Sequence, residues 1–85
     1  AYNNRGLAFN ELRQYQNAVK DFTTAINLKP DYANAYNNRA EVYLKQGNNL
    51  SGCNDAQKAC ALGNCRTLKL SQDKGYCSQP YRSNP

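Results

Sequence analysis

The chain has 85 residues, with 11 Lys and Arg against 6 Asp and Glu, a formal charge of +5 and a mean hydropathy of −0.91. So short a chain makes one small domain with a modest core, and no stretch of it approaches the roughly 20 apolar residues that a membrane span needs. Its basic residues are dispersed, six in residues 1–50 and five in 51–85, so the charge reads as a solvated surface rather than a nucleic-acid face.

The chain opens on the polar run Ala1-Tyr2-Asn3-Asn4-Arg5, inside a helical pattern and without the features of a signal peptide. It contains no Met, and both facts are expected of a piece of a longer protein, with any export signal upstream. Tyr2, Arg5, Gly6 and Phe9 share one helical face, which predicts a first helix over 1–12. Val19, Phe22, Ala25 and Ile26 predict a second over 16–28. Pro30 cannot continue that helix, and Asp31 is placed to cap a third over 33–46. Gly47-Asn48-Asn49 breaks the chain before a fourth helix over 50–62. Gly63-Asn64 is a further stop, followed by a short fifth helix over 66–74 that Gly75 closes. Leu68 and Leu70, with Tyr76, are expected to cover the apolar end of the array.

The first five residues recur as Ala35-Tyr36-Asn37-Asn38-Arg39, an offset of 34. At that offset Asp21 meets Asp55, Ala25 meets Ala59 and Leu28 meets Leu62, while Gly6 meets Ala40 and Phe9 meets Tyr43. The first unit reads Tyr2-x2-Arg5-Gly6-x2-Phe9, then Ala18-x3-Phe22, Ala25 and Pro30. This resembles the tetratricopeptide repeat, whose pattern is W-x2-L-G-x2-Y, A-x3-F and P over 34 residues. The second unit reads Tyr36-x2-Arg39-Ala40-x2-Tyr43 and then departs: Gly52 stands at the Ala site, Ala56 at the aromatic site and Asn64 where Pro30 stood. The resemblance covers residues 1–62. It implies an all-α superhelix of antiparallel hairpins, with repeats at 1–34 and 35–65, a capping helix at 66–77 and a flexible tail at 78–85.

All four cysteines lie between 53 and 77. Cys53 and Cys60 replace Val19 and Ile26 at core-type positions, two turns apart on one helix face. A final helix folding back on the fourth would travel ~13 Å at ~1.5 Å per residue. That carries Cys77 to Cys53 and leaves Cys60 near Cys65, one of three possible connectivities. The alternatives are a zinc site, although the C-x2–4-C knuckle and His are both lacking, and reduced buried thiols. Disulfides would place the protein in an oxidising compartment, periplasmic or extracellular; free thiols would place it in the cytoplasm.

The residues point away from catalysis and from any cofactor. Histidine, the commonest general base, is absent, and no phosphate-binding or nucleophile motif occurs. Asp21 and Asp55, being repeat equivalents, are expected to decorate one outer face twice. Arg5 and Arg39 stand where the family has Leu; they are expected to lie over Tyr2 and Tyr36 or to pair with Asp21 and Asp55, the alternative being a grip on a partner's carboxylate.

What the resemblance implies for function is a concave groove lined by the first helix of each hairpin, accepting an extended peptide or a partner's helix. By that resemblance the groove residues are Asn3, Asn4, Leu7, Asn10 and Glu11 of the first unit. In the second they are Asn34, Asn37, Asn38, Glu41, Leu44 and Lys45. Asn4 and Asn38 are expected to stack, because side-chain amides can hold an extended backbone without reading its sequence. The expected partner is a protein or peptide, with a homodimer possible; the alternative role is a structural end-piece of a longer array.

Overall fold

Helix endings organise this fold. The computed structural model describes residues 1–77, and the tail expected over 78–85 lies outside the described residues. It contains α1 (Tyr2–Glu11), α2 (Tyr15–Leu28), α3 (Ala33–Lys45), α4 (Asn49–Ala61) and α5 (Arg66–Asp73), with no strand among the described residues. Past the ends of α1, α3, α4 and α5, one residue takes a positive φ: Arg13 (62°), Gly47 (82°), Gly63 (109°) and Gly75 (84°). The next residue then donates its backbone N–H into the last turn, Gln14 to Phe9, Asn48 to Tyr43, Asn64 to Ala59 and Tyr76 to Ser71, each at 2.9 Å. These bonds satisfy carbonyls that the helix itself leaves free. Glycine adopts this backbone without steric cost, whereas Arg13, the repeat counterpart of Gly47, is held there at about 1 kcal/mol.

Two helix starts differ in kind. Asn48 caps α4, its Oδ1 accepting the Ser51 N–H at 3.4 Å. Asp31 does not cap α3 as expected. The capping position falls one residue later, on Tyr32, which makes no side-chain bond, and Asp31 instead lies 3.5 Å from Lys29 Nζ.

The helices pack as two antiparallel hairpins, α1 on α2 and α3 on α4, joined through α2 and α3 and followed by α5 against α4 and α3. Helix α3 also touches both α1 and α5, while among the described residues α2 and α4 do not touch. Closer approach on one side curves the array, with α1, α3 and α5 inside the bend. This is the all-α tetratricopeptide-like architecture that the repeat implies.

The two hairpins fill their cores differently. In the first, Phe22 is fully buried with Ala18 and Val42, against Leu7, Phe9, Tyr15 and Val19. A Cβ on Gly6 would sit 2.5 Å from Phe22 Cε1, so the ring needs a glycine opposite it. In the second, Ala40 replaces Gly6 and Ala56 replaces Phe22, both fully buried. The volume lost with the ring is taken by Leu68 of α5 and by Cys53, Cys60 and Cys77. Between the hairpins, Ala25, Ile26 and Ala35 pack with Tyr32 and Tyr36.

The structure joins Cys53 to Cys77 and Cys60 to Cys65. Helix α5 folds back along α4, and Leu68 is its apolar anchor at 2 % exposure. Leu70 and Tyr76, expected to cover the core with it, are instead 54 % and 45 % exposed. At ~100° per residue, positions 68 and 70 point to opposite sides of the helix. The buried neighbours of Leu68 are Thr67 and Ser71.

Gly6→Ala should therefore lower stability by about 1–3 kcal/mol, the usual range for overpacking a core, as read from the urea midpoint. In a Phe22→Ala background, which copies the small pair of the second hairpin, the same change should cost nothing further.

Candidate functional site

The inner face is set by how each hairpin is pinned. Arg5 grips Asp21 through two hydrogen bonds, Nε to Oδ2 at 2.7 Å and Nη2 to Oδ1 at 2.9 Å. Arg39 grips Asp55 with the same atoms and the same distances. Each guanidinium also lies against two aromatic rings, Arg5 at 5.6 Å from Tyr2 and 5.8 Å from Phe9, Arg39 at 5.7 Å from Tyr36 and 5.8 Å from Tyr43. Stacking and pairing thus occur together, within attractive range of the ring faces. The two aspartates are not on an outer face as expected: Asp21 and Asp55 are 3 % and 8 % exposed. A carboxylate is buried here because a two-pronged donor meets both its oxygens.

The expected groove residues divide into those that bind the protein itself and those left open. Asn38, 7 % exposed, donates its Nδ2 to Asn3 Oδ1 at 3.0 Å, so α3 reaches Asn3 of α1 rather than stacking on Asn4. Lys45 Nζ donates to Asn10 Oδ1 at 3.3 Å, and Asn10 is buried. Leu7 packs into the first hairpin's core. Asn37 is fully buried and turned toward the α4–α5 loop, where its Nδ2 donates to the Asn64 carbonyl at 3.3 Å; its Oδ1 has no hydrogen-bond partner among the described residues. Asn34 and Lys45 are exposed but engaged, Asn34 with Asn64 and Lys45 with Asn10; Asn4, Glu11 and Glu41 are left open, and Leu44 is half-buried.

Asn64 itself was visible in the sequence as half of the Gly63-Asn64 stop and as a missing proline. In the structure all its polar groups are engaged. Its N–H donates to Ala59 O, its carbonyl accepts from Asn37, its Nδ2 donates to Asn34 Oδ1 at 3.0 Å, and its Oδ1 accepts the Arg66 N–H at 3.2 Å. It ties the start of α5 to α3. Proline has no N–H and no side-chain amide, so this position has been put to a different use.

Where α5 meets α3 there is an open pocket of about 310 Å³. Glu41, Leu44 and Lys45 form the α3 side; Arg66, Leu70 and Lys74 form the α5 side, with Tyr76 beyond. Three cations and one carboxylate thus surround a floor of Leu44, Leu70 and Tyr76. The sequence named Glu41, Leu44 and Lys45 as groove residues on the α3 side and none of the α5 residues. Arg66, Leu70 and Lys74 recur every four residues, and that single-face spacing was the available signal. Among the described residues no group of metal-ligating side chains forms, and no helix is long and apolar enough to cross a membrane.

A family model described as TPR repeat matches residues 6–47. The chain is 36 % identical over 61 residues to a DnaJ homolog subfamily C member 7 homolog of Dictyostelium discoideum, covering 72 % of this chain and 11 % of that protein. It is 38 % identical over 72 residues to Hsp70-Hsp90 organizing protein 3 of Arabidopsis thaliana, covering 85 % of this chain and 12 % of the relative. It is 33 % identical over 61 residues to the human mitochondrial import receptor subunit TOM70, covering 72 % and 10 %. The chain thus spans about a tenth of the length of the curated relatives it matches.

The Arg5 hydrogen bonds hold the Asp21 carboxyl below its ordinary pKa of 3.8, against the upward push of burial. A carboxyl depressed on folding adds stability above its unfolded pKa and loses it as pH falls through the folded one. Asp21→Asn should therefore reduce stability at pH 7 and flatten the acid limb below about pH 4 in thermal unfolding. Because the Arg5 side chain is 62 % exposed, water screens the pair and the loss at pH 7 should be small.

Proposed function

The chain belongs to the tetratricopeptide repeat family, and from that premise we propose that it is a protein-binding scaffold taking an extended, acidic segment of a partner along the inner face of α1, α3 and α5. The observation that carries this reading is the α3–α5 pocket, where Lys45, Arg66 and Lys74 ring the apolar floor of Leu44, Leu70 and Tyr76. Such a pocket suits an apolar side chain flanked by carboxylates. Electrostatic complementarity speeds encounter, and the buried apolar contact holds the partner. Asn4 is exposed on α1 and is placed to bond a peptide backbone farther along. The relatives' names, an organizing protein and an import receptor subunit, describe proteins that handle other proteins. The comparisons lend nothing to the periplasmic or extracellular location expected from the cysteines, and the cytoplasmic alternative fits a chain related to an Hsp70-Hsp90 organizing protein.

A second reading, self-association or stacking of a further repeat, has its own support. The outward face of α1 repeats that of α3, which receives α2: Arg39 is only 17 % exposed there and donates to Thr23 Oγ1 at 3.0 Å. On α1 the matching Tyr2 is 40 % exposed and the Arg5 side chain 62 %. A stable dimer in light scattering, with no peptide affinity, would favour this reading.

The groove reading is tested with a fluorescein-labelled peptide of Asp, Glu and Leu, followed by anisotropy. Reversing two charges in Arg66→Glu with Lys74→Glu should weaken binding by more than about tenfold, at roughly 1 kcal/mol per reversed contact, and the helical circular-dichroism signal should stay. Unchanged affinity in that variant would overturn it.

A further inference from the structure

Helix α5 has eight residues, too few to persist alone in water. Its fully inward apolar side chain is Leu68, flanked by Thr67 and Ser71, and Ser71 Oγ donates back to the Thr67 carbonyl within the same helix. The cluster that Leu68 joins is made of Ala40, Ala56 and the cysteines. Small alanines offer little surface to hold it, since Ala56 stands where the first hairpin has Phe22. What fixes α5 at both ends is covalent. Cys65, immediately before it, is bonded to Cys60, and Cys77, four residues after it, is bonded to Cys53. Both anchors lie on α4, two turns apart. Meanwhile α5 and the turn after it provide one wall of the pocket, including Arg66 and Lys74, two of its three cations.

We propose that the Cys53–Cys77 bridge is a redox latch on the groove: closed, it holds α5 against α4 and completes the pocket; opened by a dithiol, it lets α5 leave and removes that wall. The proposal rests on the groove reading above for its consequence in binding, but not for the movement of α5. The chemistry is thiol–disulfide exchange. A dithiol's thiolate attacks Cys53 Sγ, because Cys53 is half-buried where Cys77 is 4 % exposed. The Cys53–Cys77 bond breaks, a mixed disulfide forms and Cys77 leaves as the thiolate. The dithiol's second sulfur then displaces Cys53. The protein gains two electrons and two protons as two thiols, and the dithiol becomes a cyclic disulfide. Cys60 and Cys65, both half-buried, open by the same route. The consequence is a scaffold that binds when oxidised and lets go when reduced.

The experiment is hydrogen–deuterium exchange on the full 85-residue chain, oxidised and in dithiothreitol, with Cys53→Ser/Cys77→Ser as a reductant-free counterpart. Amides of 66–77 should exchange about tenfold faster or more once the bridge is open, while α1 to α3 keep their protection. The acidic Asp/Glu/Leu peptide should bind about tenfold more weakly, as expected when the competent state falls to a tenth of the population. Equal protection of 66–77 in both states overturns the latch, and so does a loss of protection that spreads to α1 and α2, which would make the bridges general staples. If 66–77 is released but the peptide binds neither form, the latch on α5 stands and the groove reading falls.

Discussion

A two-pronged guanidinium–carboxylate contact between the two helices of each hairpin is the constraint on which the rest of the structure depends. Arg39 reaches Asp55 across the hairpin with side-chain exposures of 17 % and 11 %. Two charges so poorly hydrated are tolerable only in register, because a buried carboxylate without its partner costs about 3–5 kcal/mol. The ion pair therefore selects one alignment of α3 on α4 more than it adds net stability. The same geometry at Arg5 and Asp21, at identical distances, gives α1 and α2 the same alignment. Stacking of the second hairpin on the first follows, since the free Nη1 of Arg39 meets Thr23 of α2. The aromatic residues at 2, 9, 36 and 43 lie against the guanidinium groups, 5.6–5.8 Å from ring centroid to Cζ.

The second hairpin shows what happens when the repeat is bent to an ending. Losing the ring at Ala56 leaves the hairpin only small neighbours, Ala40, Cys53 and Cys60, at that point of its core. The chain answers with a fifth helix, Leu68 against them and two cystine bridges back to α4. Asn64 turns the corner into that helix by using every polar group it has. In consequence the terminal element also faces inward, with its cations beside Lys45, so that an element which finishes the core builds half of the candidate site.

The fold was legible because its determinants are local or periodic. Helix stops at Gly47, Gly63 and Gly75, the proline after α2 and the 34-residue echo of Tyr2 through Arg5 all act within a few residues of where they are written. The cystine pairing was legible for a related reason: a helix of known rise must return to a known place. The site was less so. Asparagines at 3, 10, 37 and 38 look alike in the sequence, yet tertiary contacts decide which amide faces out. Asn37 turns toward Asn64, Asn38 toward Asn3, and Asn10 is taken by Lys45. Asp31, one residue short of the cap, and Leu70, on the wrong side of α5, were displaced by a single residue and by about half a turn of the helix. Asp21 and Asp55 were misplaced because charge argues for the surface, and only the bidentate partner overrides it.

If register is imposed by the ion pair, then removing its two halves must be strongly non-additive. A double-mutant cycle on Arg39→Ala and Asp55→Ala, measured by urea unfolding, tests this most directly. The account predicts a coupling energy of about 2 kcal/mol or more, at the upper end for residues in contact, with the double variant more stable than Arg39→Ala alone. A coupling near zero, with the two losses simply adding, would contradict it.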